Sequence, residues 1–204
     1  MNAKQHWDTV YQSKPPDTVS WYSPHLRTSL ALIERAVPDQ GAAILDVGGG
    51  ASTLVDDLVE RGYRDVSVLD ISAAALDIAR RRLGGAAAKV GWLAADLLTT
   101  EFAPRRYDLW HDRAVFHFLT EGARRQAYVG QLTYALKHGG CAIIATFGPE
   151  GPQKCSGLDT ARYDAEGLTQ VLGPQMILID SMLEMHPTPF GTNQQFLYTL
   201  FRRG

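Results

Sequence analysis

Ile44-Leu45-Asp46-Val47-Gly48-Gly49-Gly50-Ala51-Ser52-Thr53 is an apolar run that enters three glycines and leaves as the start of a helix. An unbroken apolar run of this length reads as a strand buried on both faces. Glycine backbone lets a ligand approach closely, and the following helix offers free N–H groups at its N-terminus. A dinucleotide fingerprint needs a third glycine where the chain has Thr53, and no Gly-Lys-Ser/Thr follows to make a phosphate loop. The stretch reads as a ligand-holding strand–turn–helix in which a pyrophosphate is disfavoured, the alternative being a tight turn that holds no ligand.

Strand-like and helix-like segments alternate on its C-terminal side. Strands are expected at Ala42–Val47, Val66–Asp70, Val90–Ala94, Tyr107–His111 and Cys141–Phe147. Helices are expected from Leu54 to a stop at Gly62, from a Ser72 cap to Leu83, from a Thr120 cap to Gly139-Gly140, and from an Asp164 cap to about Leu172. Residues 148–163 read as a long loop. Five strand-then-helix units imply a doubly wound parallel sheet. Gln175–Met185 and Gln194–Arg202 are strands with too little chain between them for a parallel crossover, so they pair antiparallel. The expected fold is α/β and Rossmann-like. Its seven-stranded sheet has five parallel strands plus an antiparallel C-terminal hairpin. On the N-terminal side, residues 1–40 read as a helical cap, broken at Pro15-Pro16. Trp7, Val10 and Tyr11 share one face of its first helix.

Composition narrows the function. The 204 residues suit one main domain, and 45% apolar content suffices for a core. A net charge of −2 argues against nucleic acid or anionic membrane as a partner. No apolar run approaches a membrane span, and the opening Met1–Asp8 has no signal core. Cys141 and Cys155 make no disulfide framework and suit a reducing compartment, so a cytoplasmic location is expected. No Cys/His spacing suggests a metal site.

In doubly wound sheets ligands bind at the carboxyl ends of the strands. Three acids stand there. Asp46 ends the first strand. Asp70 ends the second, about 20 residues past the glycines, where an acid accepts ribose hydroxyls or else caps the next helix. Asp96 follows the third, where a carboxylate accepts from an adenine amine or else forms a turn.

With these residues in view, the chain resembles the class I S-adenosylmethionine-dependent methyltransferases over about residues 20–204. Leu45–Gly50 resembles the family's first motif, Val68–Ser72 the second, Ala95-Asp96-Leu97 the third and Tyr107–Asp112 the fourth. The resemblance implies residues 41–204 as the methyltransferase domain and S-adenosylmethionine as the cofactor, leaving as S-adenosylhomocysteine. It implies Asp46, Gly48, Gly49 and Gly50 against the amino-acid part of the cofactor. Asp70 with Ile71 would serve the ribose, and Asp96 with Leu97 the adenine. The family's common form has a glycine at position 52, where this chain has Ser52.

A sulfonium methyl is already activated, so the protein must align the acceptor and exclude water. A base matters only for a protonated acceptor. His111, Asp112 and His117 follow the fourth strand and are the expected catalytic candidates, with His111 also near the cofactor. The alternatives are a His117 packed among phenylalanines and an Asp112 paired with Arg113. Trp21 and Tyr22 either cover the sulfonium, which aromatic faces attract, or pack in the core. The 148–156 loop reads as a lid, with Cys155 either an activated thiol or a structural one. The arginines at 124–125 read as a solvated face. The acceptor is expected to be a small-molecule heteroatom nucleophile, with a protein lysine as the alternative. A nucleotide-dependent oxidoreductase or a non-catalytic cofactor-binding module are the readings of another class.

Overall fold

The computed structural model describes residues 2–204. Strands β1 (Ala43–Val47), β2 (Asp65–Asp70), β3 (Val90–Ala94), β4 (Tyr107–Arg113), β5 (Leu136–Phe147), β8 (Met176–Pro187) and β9 (Asn193–Arg203) form one sheet. A two-stranded ribbon, β6 (Lys154–Cys155) and β7 (Leu158–Asp159), lies between β5 and β8 in the chain. The sheet order is β3-β2-β1-β4-β5-β9-β8. Pairings among β1 to β5 are parallel, while β9 runs antiparallel to both β5 and β8. The expected seven-stranded sheet and its C-terminal hairpin are therefore present. The strand order reverses between β1 and β4, which opens a crevice beside the glycine turn.

Helices α1 (Ala3–Ser13) and α2 (Arg27–Ala36) precede the sheet, and α3 (Leu54–Glu60), α4 (Ala73–Leu83), α5 (Gly122–Ala135) and α6 (Ala165–Leu172) connect its strands. Every residue of β1 is buried, because helices cover both faces. On one face Ile33 of α2, Leu54 and Leu58 of α3 and Leu76 of α4 pack on Ile44, Val68 and Ile143. On the other, Tyr128 and Leu132 of α5 and Leu168 of α6 pack on Leu45, Trp110 and Ile144. No helix among the described residues is long and apolar enough to cross a membrane.

Ser72 and Asp164 cap α4 and α6 as expected, accepting from the Ala75 and Gly167 amides at 3.3 and 2.7 Å. Four expectations need correction. Thr120 does not cap α5. The helix starts at Gly122 after Glu121, which makes no side-chain cap, and Arg125 draws the Leu119 and Thr120 carbonyls to its own guanidinium. Nor does α5 reach Gly139-Gly140. It ends at Ala135, and β5 starts at Leu136 with a bulge: Tyr107 pairs with Leu136, but Leu109 pairs with Cys141. Lys137 in the bulge donates to both Asp108 oxygens at 2.8 Å, and Asp108 also accepts from the Ala43 amide. Third, no helix joins β3 to β4. Asp96 instead turns the chain, its side chain accepting from the Leu98 amide at 2.9 Å. Fourth, β4 extends two residues past His111 to Arg113, and the 148–163 segment carries the β6–β7 ribbon.

Candidate functional site

A cavity of about 470 Å³ lies at the carboxyl ends of β1 to β4, within the range of small-molecule sites. A smaller chamber of about 50 Å³ adjoins it and shares the walls Tyr11, Trp21, Val47, Gly48 and Arg113.

The glycine turn is shaped by close approach. Gly48 has φ +64°, donates to the Leu69 carbonyl at 2.7 Å, and a Cβ there would sit 2.0 Å from Val115. Gly50 has φ +45°, and its Cβ would sit 2.9 Å from Asp70 Oδ2 and 3.0 Å from the Tyr11 hydroxyl. Both positions need glycine for backbone and for space. Gly48 and Gly49 line the smaller chamber, so the turn forms part of its wall.

Asp70 lines the large cavity and is buried. One oxygen accepts from the Ser72 amide at 2.8 Å, and the other lies toward Gly50. Burial pushes its carboxyl up to about 7, with Asp46 and Asp8 adding to the rise and the Ser72 amide opposing it. Ile71, Asp96 and Leu97 line the same cavity. Asp46 is buried at the end of β1, 2.7 Å from His111 Nδ1, its register partner in β4. A carboxylate only accepts, so His111 Nδ1 donates to Asp46, and Nε2 lies 2.9 Å from the Ser29 hydroxyl. Asp46, Gly48, Gly49, Trp21, Tyr22 and His111 surround the smaller chamber. The residues expected to hold a cofactor are thus gathered along one continuous wall, with Gly50 shaping the turn behind it.

The expected catalytic trio is placed differently. Asp112 is fully buried and lines neither chamber. It accepts from the Val115 amide at 2.9 Å, the Phe116 amide at 3.1 Å and the Tyr128 hydroxyl at 2.7 Å. Those bonds hold the turn in which Ala114 takes a left-handed φ of +74°. Burial pushes the Asp112 carboxyl up to about 6. His117 is also fully buried and off both chambers. It packs 4.4 Å from Phe118 and 4.5 Å from Phe147, between ring centres, and accepts from the Phe147 amide. Burial drives its pKa down to about 3, so the ring is neutral. Cys155 lines the large cavity, but burial pushes its thiol up to about 11, which makes an activated thiol untenable.

Several lining residues escaped the sequence reading. Helix α1 forms a wall with His6, Trp7 and Tyr11. Asp8 ties it to α4 by accepting from the Ser72 hydroxyl at 2.7 Å. Trp7 sits 5.7 Å from Trp21 and 5.3 Å from Phe118, giving an aromatic cluster beside the cavity. The stripe Trp7-Val10-Tyr11 was the available signal, but a stripe does not tell core from cavity. Arg124, read as solvated, lines the cavity, and Arg113 faces it rather than Asp112.

A family model described as a methyltransferase domain matches residues 44–140. Among curated proteins, the chain is 24% identical over 108 residues to the eEF1A lysine and N-terminal methyltransferase of Mus musculus. That match covers 53% of this chain and 15% of the mouse protein, so the chain spans a small part of that relative. Among solved structures, an S-adenosylmethionine-dependent methyltransferase from Anabaena variabilis superposes with a TM-score of 0.77 at 14% identity, covering 100% of this chain and 96% of that one. A Burkholderia thailandensis 1,6-didemethyltoxoflavin-N1-methyltransferase, solved with its substrate and S-adenosylhomocysteine, superposes with a TM-score of 0.71 at 18% identity, covering 98% and 88%. At these identities the structural likeness is one of fold. The chain thus carries a match to a methyltransferase domain over residues 44–140 and shares the sheet topology of solved S-adenosylmethionine-dependent methyltransferases.

Proposed function

We propose that the protein transfers the methyl group of S-adenosylmethionine to a heteroatom nucleophile of a small molecule. The observation that carries the acceptor class is the wall that α1 builds over the cavity, pinned by the Asp8–Ser72 hydrogen bond. A walled cavity suits a small acceptor, whereas a protein lysine needs an open groove. Bound here, S-adenosylmethionine supplies a methyl group activated by its sulfonium.

In this reading Asp46 and Gly48 to Gly50 cradle the amino-acid end, Asp70 and Ile71 take the ribose, and Asp96 and Leu97 take the adenine. Trp21 and Tyr22 cover the turn. His111 orients Asp46. Asp112 and His117 brace the wall rather than touch the acceptor, because both are buried away from the cavity. His6 is the imidazole on the cavity wall, and its Nε2 has no partner among the described residues, so it is the group placed to take a proton from a protonated acceptor. The likeness to the mouse lysine methyltransferase favours the second reading, a protein lysine. A transfer assay with methyl-labelled cofactor and fractionated lysate separates the two. Label is expected in the low-molecular-mass filtrate; label confined to protein would overturn the small-molecule reading.

Cofactor binding should depend on pH through Asp70. Ribose hydroxyls donate to the carboxylate, so binding favours the ionised form. The free carboxyl ionises near 7. Affinity should therefore rise as pH rises to 7 and level off above it. S-adenosylhomocysteine should bind roughly tenfold more weakly at pH 6 than at pH 8. Asp70→Asn should flatten that profile; an unchanged slope in the variant would assign the pH dependence to another group.

A further inference from the structure

Arg113 ends β4 on the wall shared by the two chambers. Neutral groups fix its guanidinium. Nε donates to the Tyr198 hydroxyl at 2.9 Å, and Nη1 donates to the Trp21 carbonyl at 3.0 Å. Its central carbon lies 4.4 Å from the Phe196 ring centre. Nη2 is buried with no hydrogen-bond partner among the described residues.

No acid among the described residues forms an ion pair with it. Asp46 faces His111, Asp70 accepts from Ser72, Asp112 holds the turn after β4, Asp159 pairs with Lys154, and Glu184, which shares the neighbours Tyr198 and His186 with Arg113, makes no salt bridge to it. A half-buried cation without a counter-charge is unfavourable until something neutralises it. A rigidly held guanidinium fork matches a carboxylate better than any other common group. We propose that Arg113 is the receptor for a carboxylate that a ligand brings to the junction of the two chambers. The proposal rests on the methyltransferase reading above for what enters the cavity. Two sources carry this chemistry: the amino-acid end of the cofactor, and an acidic substituent on the acceptor.

The test titrates wild type and Arg113→Met with S-adenosylhomocysteine and with 5′-methylthioadenosine, which keeps adenine, ribose and sulfur but lacks the amino-acid end. Wild-type binding of methylthioadenosine checks the underlying reading separately; no binding of either nucleoside overturns that reading and this one with it. If the cofactor is the source, the variant loses roughly tenfold or more for S-adenosylhomocysteine. Methylthioadenosine affinity then stays within about twofold. If the acceptor is the source, S-adenosylhomocysteine affinity holds. The loaded wild type then prefers benzoate over benzamide, and the variant loses that preference. Either result supports the proposal. Equal losses for both nucleosides would show that Arg113 merely supports Trp21 and Tyr198, and would overturn it. So would unchanged nucleoside binding with no benzoate preference. If the methionine variant does not fold, Arg113→Lys carries the same comparison, with a smaller loss because the charge stays and the fork goes.

Discussion

Asp70→Ala is expected to weaken S-adenosylhomocysteine binding by roughly a hundredfold or more while the protein stays folded. In the proposed complex the carboxylate accepts from two ribose hydroxyls. Hydrogen bonds to a charged acceptor are worth about 1.5–3 kcal/mol each. The structural loss is smaller, since the Ser72 amide gives up one bond at 2.8 Å and Ser72 still caps α4 through its hydroxyl. Adenine alone should bind both proteins equally, because it never reaches Asp70. Calorimetric titration of both forms measures the difference. An affinity within twofold of wild type would leave Asp70 only the role of holding the turn before α4.

Asp112→Ala should instead unfold before it fails at binding. Removing the carboxylate strands two buried donors, the Phe116 amide and the Tyr128 hydroxyl, and the half-buried Val115 amide. Each buried orphan costs about 1–3 kcal/mol, so the two buried ones cost on the order of 2–6 kcal/mol. For a chain of this size that lowers the melting temperature by roughly 10 °C. Asp112→Asn keeps the shape and part of the acceptor, and should fall between the two. Thermal unfolding followed by circular dichroism reads the effect. A variant with wild-type stability and abolished turnover would return Asp112 to the catalytic role that an expected strand end at His111 suggested.

The parts of the fold that were legible in the sequence are those dictated by local backbone demands. Gly48 and Gly50 announce a turn with positive φ, Ser72 and Asp164 announce caps, and the five-residue run of β1 announces burial on both faces. The strand ends then fix where Asp46, Asp70 and Asp96 stand. What the sequence could not convey is set by partners distant in the chain. Asp112 is claimed by Tyr128 on α5, and Arg113 by Tyr198 on β9. An Asp-Arg pair adjacent in sequence looks like an ion pair, yet successive residues of a strand point to opposite faces. That alternation sends Asp112 beneath the sheet and Arg113 into the cavity wall. The α1 wall was hidden for a similar reason. Trp7 and Tyr11 form an apolar stripe whose partners, Trp21 and Phe118, leave a cavity beside it instead of filling the space. The end of α5 was misplaced because Gly139-Gly140 resembles a helix stop, while the Lys137–Asp108 pair turns that segment into a bulge of β5.

The central claim is that the cleft between the glycine turn and α1 is built for S-adenosylmethionine. Calorimetric titration of the wild-type protein with S-adenosylhomocysteine at pH 8, beside an identical titration with NAD, tests it most directly. One site per chain for S-adenosylhomocysteine and no binding of NAD are expected. Ligand at about a hundred times its dissociation constant should add roughly 2.7 kcal/mol to stability. No heat and no thermal shift with S-adenosylhomocysteine, or a stronger response to NAD, would contradict it.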